Sequence, residues 1–256
     1  MMSEVKPEKG DFMKRLNWKN LFLVPAVLLT FAASASDWDD SNAVEEVAAP
    51  INGIFVPKGF DNNDNAQVVI TGAYPNTCYQ VGRVDALVND ETKTIDVEVT
   101  SFFHSNRPCL MLYTPFTEVV SLGLLKAGSY HVQVNNKADQ QLMPVSIAPV
   151  DSSDDFVYAN VFGLIRKGDR GFVLEGRLPK ACAKLQKVQM IEEPGNVVVV
   201  LPLVEFPEGC DPNVVNDRDR GQAFSEEIQL PSSMKGRYLI HVRSLNGGSM
   251  NQVVEL

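Results

Sequence analysis

The chain has 256 residues, 32 of them acidic against 23 basic, and a formal net charge of −9. Phosphate contact needs clustered Lys and Arg, so this balance excludes nucleic acid as a partner and argues against an anionic membrane surface. Three histidines and four cysteines are all that the chain offers for metal or redox chemistry.

Lys14, Arg15 and Lys19 precede an apolar run, LFLVPAVLLTFAASA, that ends in Ala33-Ser34-Ala35. Basic flank, apolar stretch and small-x-small ending together read as a signal peptide over residues 1–35. The run is shorter than the roughly 20 apolar residues a spanning helix needs, and Pro25 interrupts it, so cleavage is expected and no membrane insertion afterwards. Glu4, Glu8 and Asp11 suit a signal poorly and mark Met13 as the functional start. Residues 1–35 carry five basic and three acidic side chains, so their removal takes the net charge from −9 to −11. Residues 36–50 are acidic and aperiodic, and read as a flexible leader.

An internal repeat organises the rest. Gly72-Ala73-Tyr74-Pro75-Asn76-Thr77-Cys78 recurs as Gly176-Arg177-Leu178-Pro179-Lys180-Ala181-Cys182. Val120, Leu122, Gly128, Tyr130, Val132 and Val134 recur as Ile228, Leu230, Gly236, Tyr238, Ile240 and Val242. Each copy has one further cysteine, Cys109 or Cys210, between these blocks. The expected organisation is a first module over 51–148, a linker over 149–154 and a second module over 155–256.

Within the copies the apolar period is two, as in half-buried strands. Ile95, Val97 and Val99 alternate with Asp96, Glu98 and Thr100. Tyr130, Val132 and Val134 alternate with His131, Gln133 and Asn135. By the same phase Tyr238, Ile240 and Val242 are inward, which assigns Leu239, His241 and Arg243 to solvent. The unbroken run Val197–Leu201 suits a central strand, and Val119–Ala127 has room for one short helical turn at most. Asn246-Gly247 is the strongest hairpin-turn signal. The expected fold is all-β: two tandem antiparallel β-sandwiches. This architecture resembles the immunoglobulin-like and fibronectin type III-like modules of exported bacterial proteins. The only tryptophans, Trp18 and Trp38, lie outside the copies, so the antibody Cys–Trp–Cys signature is missing.

An even cysteine number in an exported chain points to disulfides, and the repeat selects Cys78–Cys109 and Cys182–Cys210, one bridge per copy. The loop Asp61-Asn62-Asn63-Asp64-Asn65 offers Asp61, Asn63 and Asn65 at a spacing that suits Ca²⁺, yet Ala66 and Gly72 stand where an EF-hand needs Gly and Glu. A capped turn is expected there, and no metal or other cofactor. His104, in the segment before Cys109, would need an orienting carboxylate and a nucleophile nearby to be catalytic, which no sequence pattern supplies, and no hydrolase, phosphate-loop or dinucleotide motif is present. The chain is therefore read as no enzyme. Phe102-Phe103 reads as an aromatic loop pair that could anchor a partner. Glu208–Glu226, with Asp217-Arg218-Asp219-Arg220, reads as a solvated insertion.

These readings converge on a periplasmic or secreted non-catalytic binding or structural protein, its partner an extracytoplasmic protein or glycan. The alternatives are a calcium-stabilised adhesion module, and an enzyme or inhibitor with a loop-built site at the junction of the two copies.

Overall fold

The computed structural model describes residues 44–136, 140–148, 158–211 and 221–256. The signal segment, the leader as far as residue 43, the linker and residues 212–220 of the Glu208–Glu226 insertion lie outside the described residues. The described residues belong to one compact unit, Asp40–Leu256. Among them the fold is all-β, a single 3-10 turn at Leu245–Gly247 excepted.

The first half of the unit contains β1 (Val44–Ala48), β2 (Ile51–Phe55), β3 (Phe60–Asp61), β4 (Asn65–Tyr74), β5 (Tyr79–Asn89), β6 (Thr94–His104), β7 (Thr114–Leu124), β8 (Gly128–Val134) and β9 (Gln141–Ser146). The second contains β10 (Asn160–Lys167), β11 (Gly171–Arg177), β12 (Lys184–Glu193), β13 (Val197–Glu205), β14 (Ala223–Gln229), β15 (Arg237–Arg243) and β16 (Ser249–Glu255). Three-stranded antiparallel sheets are formed by β2-β4-β7 and by β10-β11-β14. Facing them, β5-β6-β8-β9 and β12-β13-β15-β16 follow one common order, with β1 and β3 added to the former.

The sequence leads one to expect antiparallel sheets, but the sheets are mixed. β6 runs parallel to β8, β13 to β15, and β3 to β9. In an immunoglobulin sandwich the first strand of the hairpin lies beside the later strand of its sheet. Here the second strand, β6 or β13, takes that place, which reverses the pairing direction.

The alternation read from sequence places the core correctly. Val68 and Ile70 of β4, Ile95, Val97 and Val99 of β6, and Tyr130, Val132 and Val134 of β8 fill the space between the first pair of sheets. Phe172 and Leu174 of β11, Val198 and Val200 of β13, and Tyr238, Ile240 and Val242 of β15 do the same in the second. Tyr130 is fully buried, so its hydroxyl needs partners. It donates to Asp90 Oδ1, lies 3.0 Å from the Lys126 carbonyl oxygen, and accepts from Lys93 Nζ at 3.0 Å. Asn135 and Asn136, which mark the reversal after β8, both hold positive φ. Asn246 and Gly247 do likewise, as the hairpin signal requires.

Two local expectations give way. Residues 44–50 are not a flexible leader: Val44–Ala48 pairs with Thr100–His104 as β1. The cause is the short overlap of β6 with β8, which ends at Val97 and leaves the rest of the β6 edge open. Asn135 bridges the change of partner, accepting from Val99 N at 2.8 Å and donating to Val99 O at 2.9 Å. The segment from Val119, where a helical turn had room, lies in β7 up to Leu124.

β4, β13 and β15 are buried on both faces. Their second faces, with Phe55 and Val69 from the first half and Val197, Val199 and Leu239 from the second, form a further apolar cluster. The two sandwiches thus share a core. A strand covered on both sides carries an unbroken apolar run, and this is the origin of Val197–Leu201.

Candidate functional site

Two places gather functional side chains: the seam where the halves meet, and the cysteine-bridged end of the first half. At the seam, β15 turns Leu239, His241 and Arg243 toward the first half. The expectation that His241 faces solvent therefore fails, because the polar phase of β15 is covered by a second sandwich. His131, on the uncovered face of β8, is exposed as expected.

Arg243 and Gln67 tie buried polar groups together across the seam. Arg243 Nη1 donates to Asp64 Oδ2 at 3.0 Å, Arg243 Nη2 donates to the Gly59 carbonyl, and the guanidinium lies 4.7 Å from the centre of the Phe60 ring. His241 Nδ1 is 2.7 Å from Asn251 Oδ1. Gln67 Oε1 accepts from Ser249 Oγ at 2.6 Å and from Asn251 Nδ2 at 3.2 Å. His241 Nε2 is buried with no protein partner. Burial pushes the His241 imidazole down to about 4, and the nearby Arg243 charge acts in the same direction. A cavity of about 20 Å³ lies beside these groups, lined by Phe60, Asp64, Arg243 and Ser249 among others. That space suits a water molecule and is far below a substrate pocket. The seam is built to hold two sandwiches together.

The Asp61–Asn65 loop belongs to this seam. Asp64 Oδ2 also accepts from Asp61 N at 3.0 Å, while Asn65 Oδ1 accepts from Ser121 Oγ at 2.7 Å. Burial raises the Asp61 carboxyl, and the neighbouring Asp64 carboxylate adds to this. Asp61 Oδ1 in turn accepts from Asn63 N at 3.4 Å, the pattern of a capped turn. The positive charge at the loop is a guanidinium from 179 residues away. Among the described residues no group of three His, Cys, Asp or Glu is placed to hold a metal ion.

At the far end of β4, Cys78 is bridged to Cys109 with Cα atoms 5.3 Å apart, and Cys182 is bridged to Cys210 at 5.7 Å in the second half. In the chain-entropy model, loops of this length are worth about 3–4 kcal/mol each. Phe102 and Phe103 are not in a loop: they end β6, where pairing with both β5 and β1 extends the strand. Phe103 packs on Tyr79 at 4.9 Å, Tyr79 stacks on Tyr74 at 5.9 Å, and Tyr74 stacks on Phe116 at 4.7 Å. This aromatic row supports the bridged end.

The exposed apolar side chains lie a few residues further on. Leu110, Met111, Leu112 and Tyr113 are between 59% and 84% exposed. They cannot fold back, because the loop is fastened at its start. Cys109 holds it by the bridge, Leu110 N donates to Thr77 Oγ1 at 3.0 Å, Thr77 N donates to Leu110 O at 3.0 Å, and Arg107 Nη2 donates to Thr77 O at 2.9 Å. β7 begins at Thr114 and fastens the other end. The signal for this tip was four apolar residues in a row, without period, between Cys109 and Pro115.

Residues 68–143, from β4 to β9, match the family model of the ORF11 beta-sandwich domain. The match takes in both cysteines of the first half and the Leu110–Tyr113 tip. No curated protein and no solved structure matches the chain. A β-sandwich is what the family match and the sheets agree upon.

Proposed function

We propose that the chain is an exported, non-catalytic binding protein, made of two related sandwich modules locked into one body, which meets its partner at the Leu110–Tyr113 tip. The observation that carries this reading is four consecutive exposed apolar side chains held out by a disulfide and three hydrogen bonds. Exposed apolar groups that are tethered rather than collapsed mark interaction sites.

Duplication is supported by the common strand order of the two halves, each with its parallel pair and its own bridge. The halves also enter their sandwiches alike: Ala49 N donates to Val99 O at 3.0 Å, and Ala159 N donates to Pro202 O at 2.9 Å. An immunoglobulin-like ancestry is supported by Tyr130, whose hydroxyl reaches the carbonyl four residues upstream as in a tyrosine corner. Export is supported by the two bridges, which persist in oxidising compartments. No helix among the described residues is long and apolar enough to cross a membrane.

Photo-crosslinking from position 111 in the native compartment tests the reading. The exposed turn residue Thr92, at the other end of the same sheet, serves as control. Adducts should form from position 111 and not from position 92.

A further inference from the structure

Resting on the reading of the tip as the binding end, we propose that what the tip meets is a lipid surface, with Leu110, Met111, Leu112 and Tyr113 seated at the boundary between headgroups and acyl chains. Three observations lead there.

First, the tip is convex. Every residue from Ser105 to Pro115 is exposed, so the apolar four stand at the surface of an eleven-residue exposed segment. A standard protein interface buries about 800 Å² per partner behind a polar rim. A bilayer asks for no complementary shape, only apolar side chains that can reach about 5–10 Å into it. Tyr113 among aliphatic neighbours suits such a depth, since its ring is apolar and its hydroxyl stays with the headgroups.

Second, the segments that carry the tip have no acidic residue of their own. Residues 71–83 and 99–117, which form the bridged end, contain no Asp or Glu, in a chain with 32. They do contain Arg107 and Arg83, and of the two acidic residues that β1 brings beside Phe102 and Phe103, Glu46 is paired with Arg83. The argument from net charge against a membrane treats the chain as uniform, but charges more than about 10 Å away are largely screened at physiological salt. What the bilayer meets first is apolar, with Arg107 at its base.

Third, the apolar run is not demanded by the bridge. In the second half Cys210 is followed by Asp211-Pro212-Asn213 and later by Asp217-Arg218-Asp219-Arg220, where Cys109 is followed by Leu-Met-Leu-Tyr. A bridged loop with polar residues serves one module, so the apolar residues of the other answer to something outside the fold.

The test uses the chain from Ser36 onward, which holds the whole folded unit and lacks the apolar signal segment. It is sedimented with phosphatidylcholine vesicles, with and without phosphatidylglycerol. The expected result is co-sedimentation that falls about tenfold or more in Met111→Asp, Leu112→Asp, since two charges must then enter the interface. Both positions are exposed, so that variant should melt with the parent. Should it not, Met111→Trp gives a second reading in an intact tip: its emission should shift to the blue and become shielded from aqueous quencher on adding vesicles. No co-sedimentation, or equal co-sedimentation of the parent and the Asp variant, or a Met111→Trp spectrum that vesicles leave unchanged, overturns the lipid proposal. If vesicles fail while position 111 still crosslinks to a polypeptide, the tip is a protein-binding site and only the lipid proposal falls. If position 111 crosslinks to nothing as well, the binding reading falls with it.

Discussion

Arg243→Met should destabilise the unit by about 3–5 kcal/mol, the cost of leaving a buried carboxylate without its partner. Asp64 and Arg243 are both nearly inaccessible, and the guanidinium also holds the Gly59 carbonyl and the Phe60 ring. For a unit of this size the melting temperature should fall by roughly 10 °C. Adding Asp64→Asn should recover most of the loss, because the uncompensated charge is then gone while the side chain can still accept from Asp61 N. A single transition should persist in the parent, since the two sandwiches share the Phe55–Val69–Val197–Val199–Leu239 cluster. Were Arg243→Met to melt within about 2 °C of the parent, the seam as described would be wrong.

Acidification should weaken the same seam well above the range where carboxylates titrate. His241 stays neutral in the folded protein down to about pH 4. Unfolded, it takes up a proton near its ordinary value of about 6.5. The unfolded state therefore binds more protons between these limits, and stability falls as pH falls through them. The loss should be about 2 kcal/mol at pH 5 and about 3 kcal/mol near pH 4. The groups that face His241 are Asn251, Phe60, Arg243 and Asp64. The raised carboxyl of Asp61 works in the opposite direction on acidification. His241→Gln isolates the effect: denaturant unfolding of that variant should vary by less than about 1 kcal/mol between pH 6.5 and 5. A parent as flat as the variant would place His241 in contact with water.

Much of this architecture was legible in the residues. Period-two runs located β6, β8 and β15, and the repeated Gly-x-x-Pro-x-x-Cys block paired the cysteines as the structure has them. The seam was written there too, less openly. Leu239 stands where the first copy has His131, and a leucine on the polar phase of a strand means that this phase is covered. Alternation alone cannot show this, because it separates two faces without saying how many of them meet another layer. The parallel pairs escaped for a related reason: period two fixes which side chains point together and is silent on which strand is the neighbour. Phe102 and Phe103 read as a loop pair ahead of Cys109, whereas pairing with β1 on one edge and β5 on the other carries β6 through His104. Leu110–Tyr113 is not legible as a site from sequence, since an aperiodic apolar run in a short segment reads as core. Only the geometry, with the run fastened at its start by Cys109 and Thr77, shows those side chains pointing outward.

Contact with the partner is proposed at the bridged tip, on a body whose halves share one core. A photoreactive residue placed at 111 in the exported chain, illuminated in its native compartment, tests this most directly. Position 92, about 30 Å away along β6, reports on any contact made elsewhere on the same sheet. The account predicts abundant adducts from 111, none above background from 92, and loss of the 111 adducts when Leu110 and Leu112 are both replaced by aspartate. Adducts of equal yield from both positions, or from 92 alone, would contradict it.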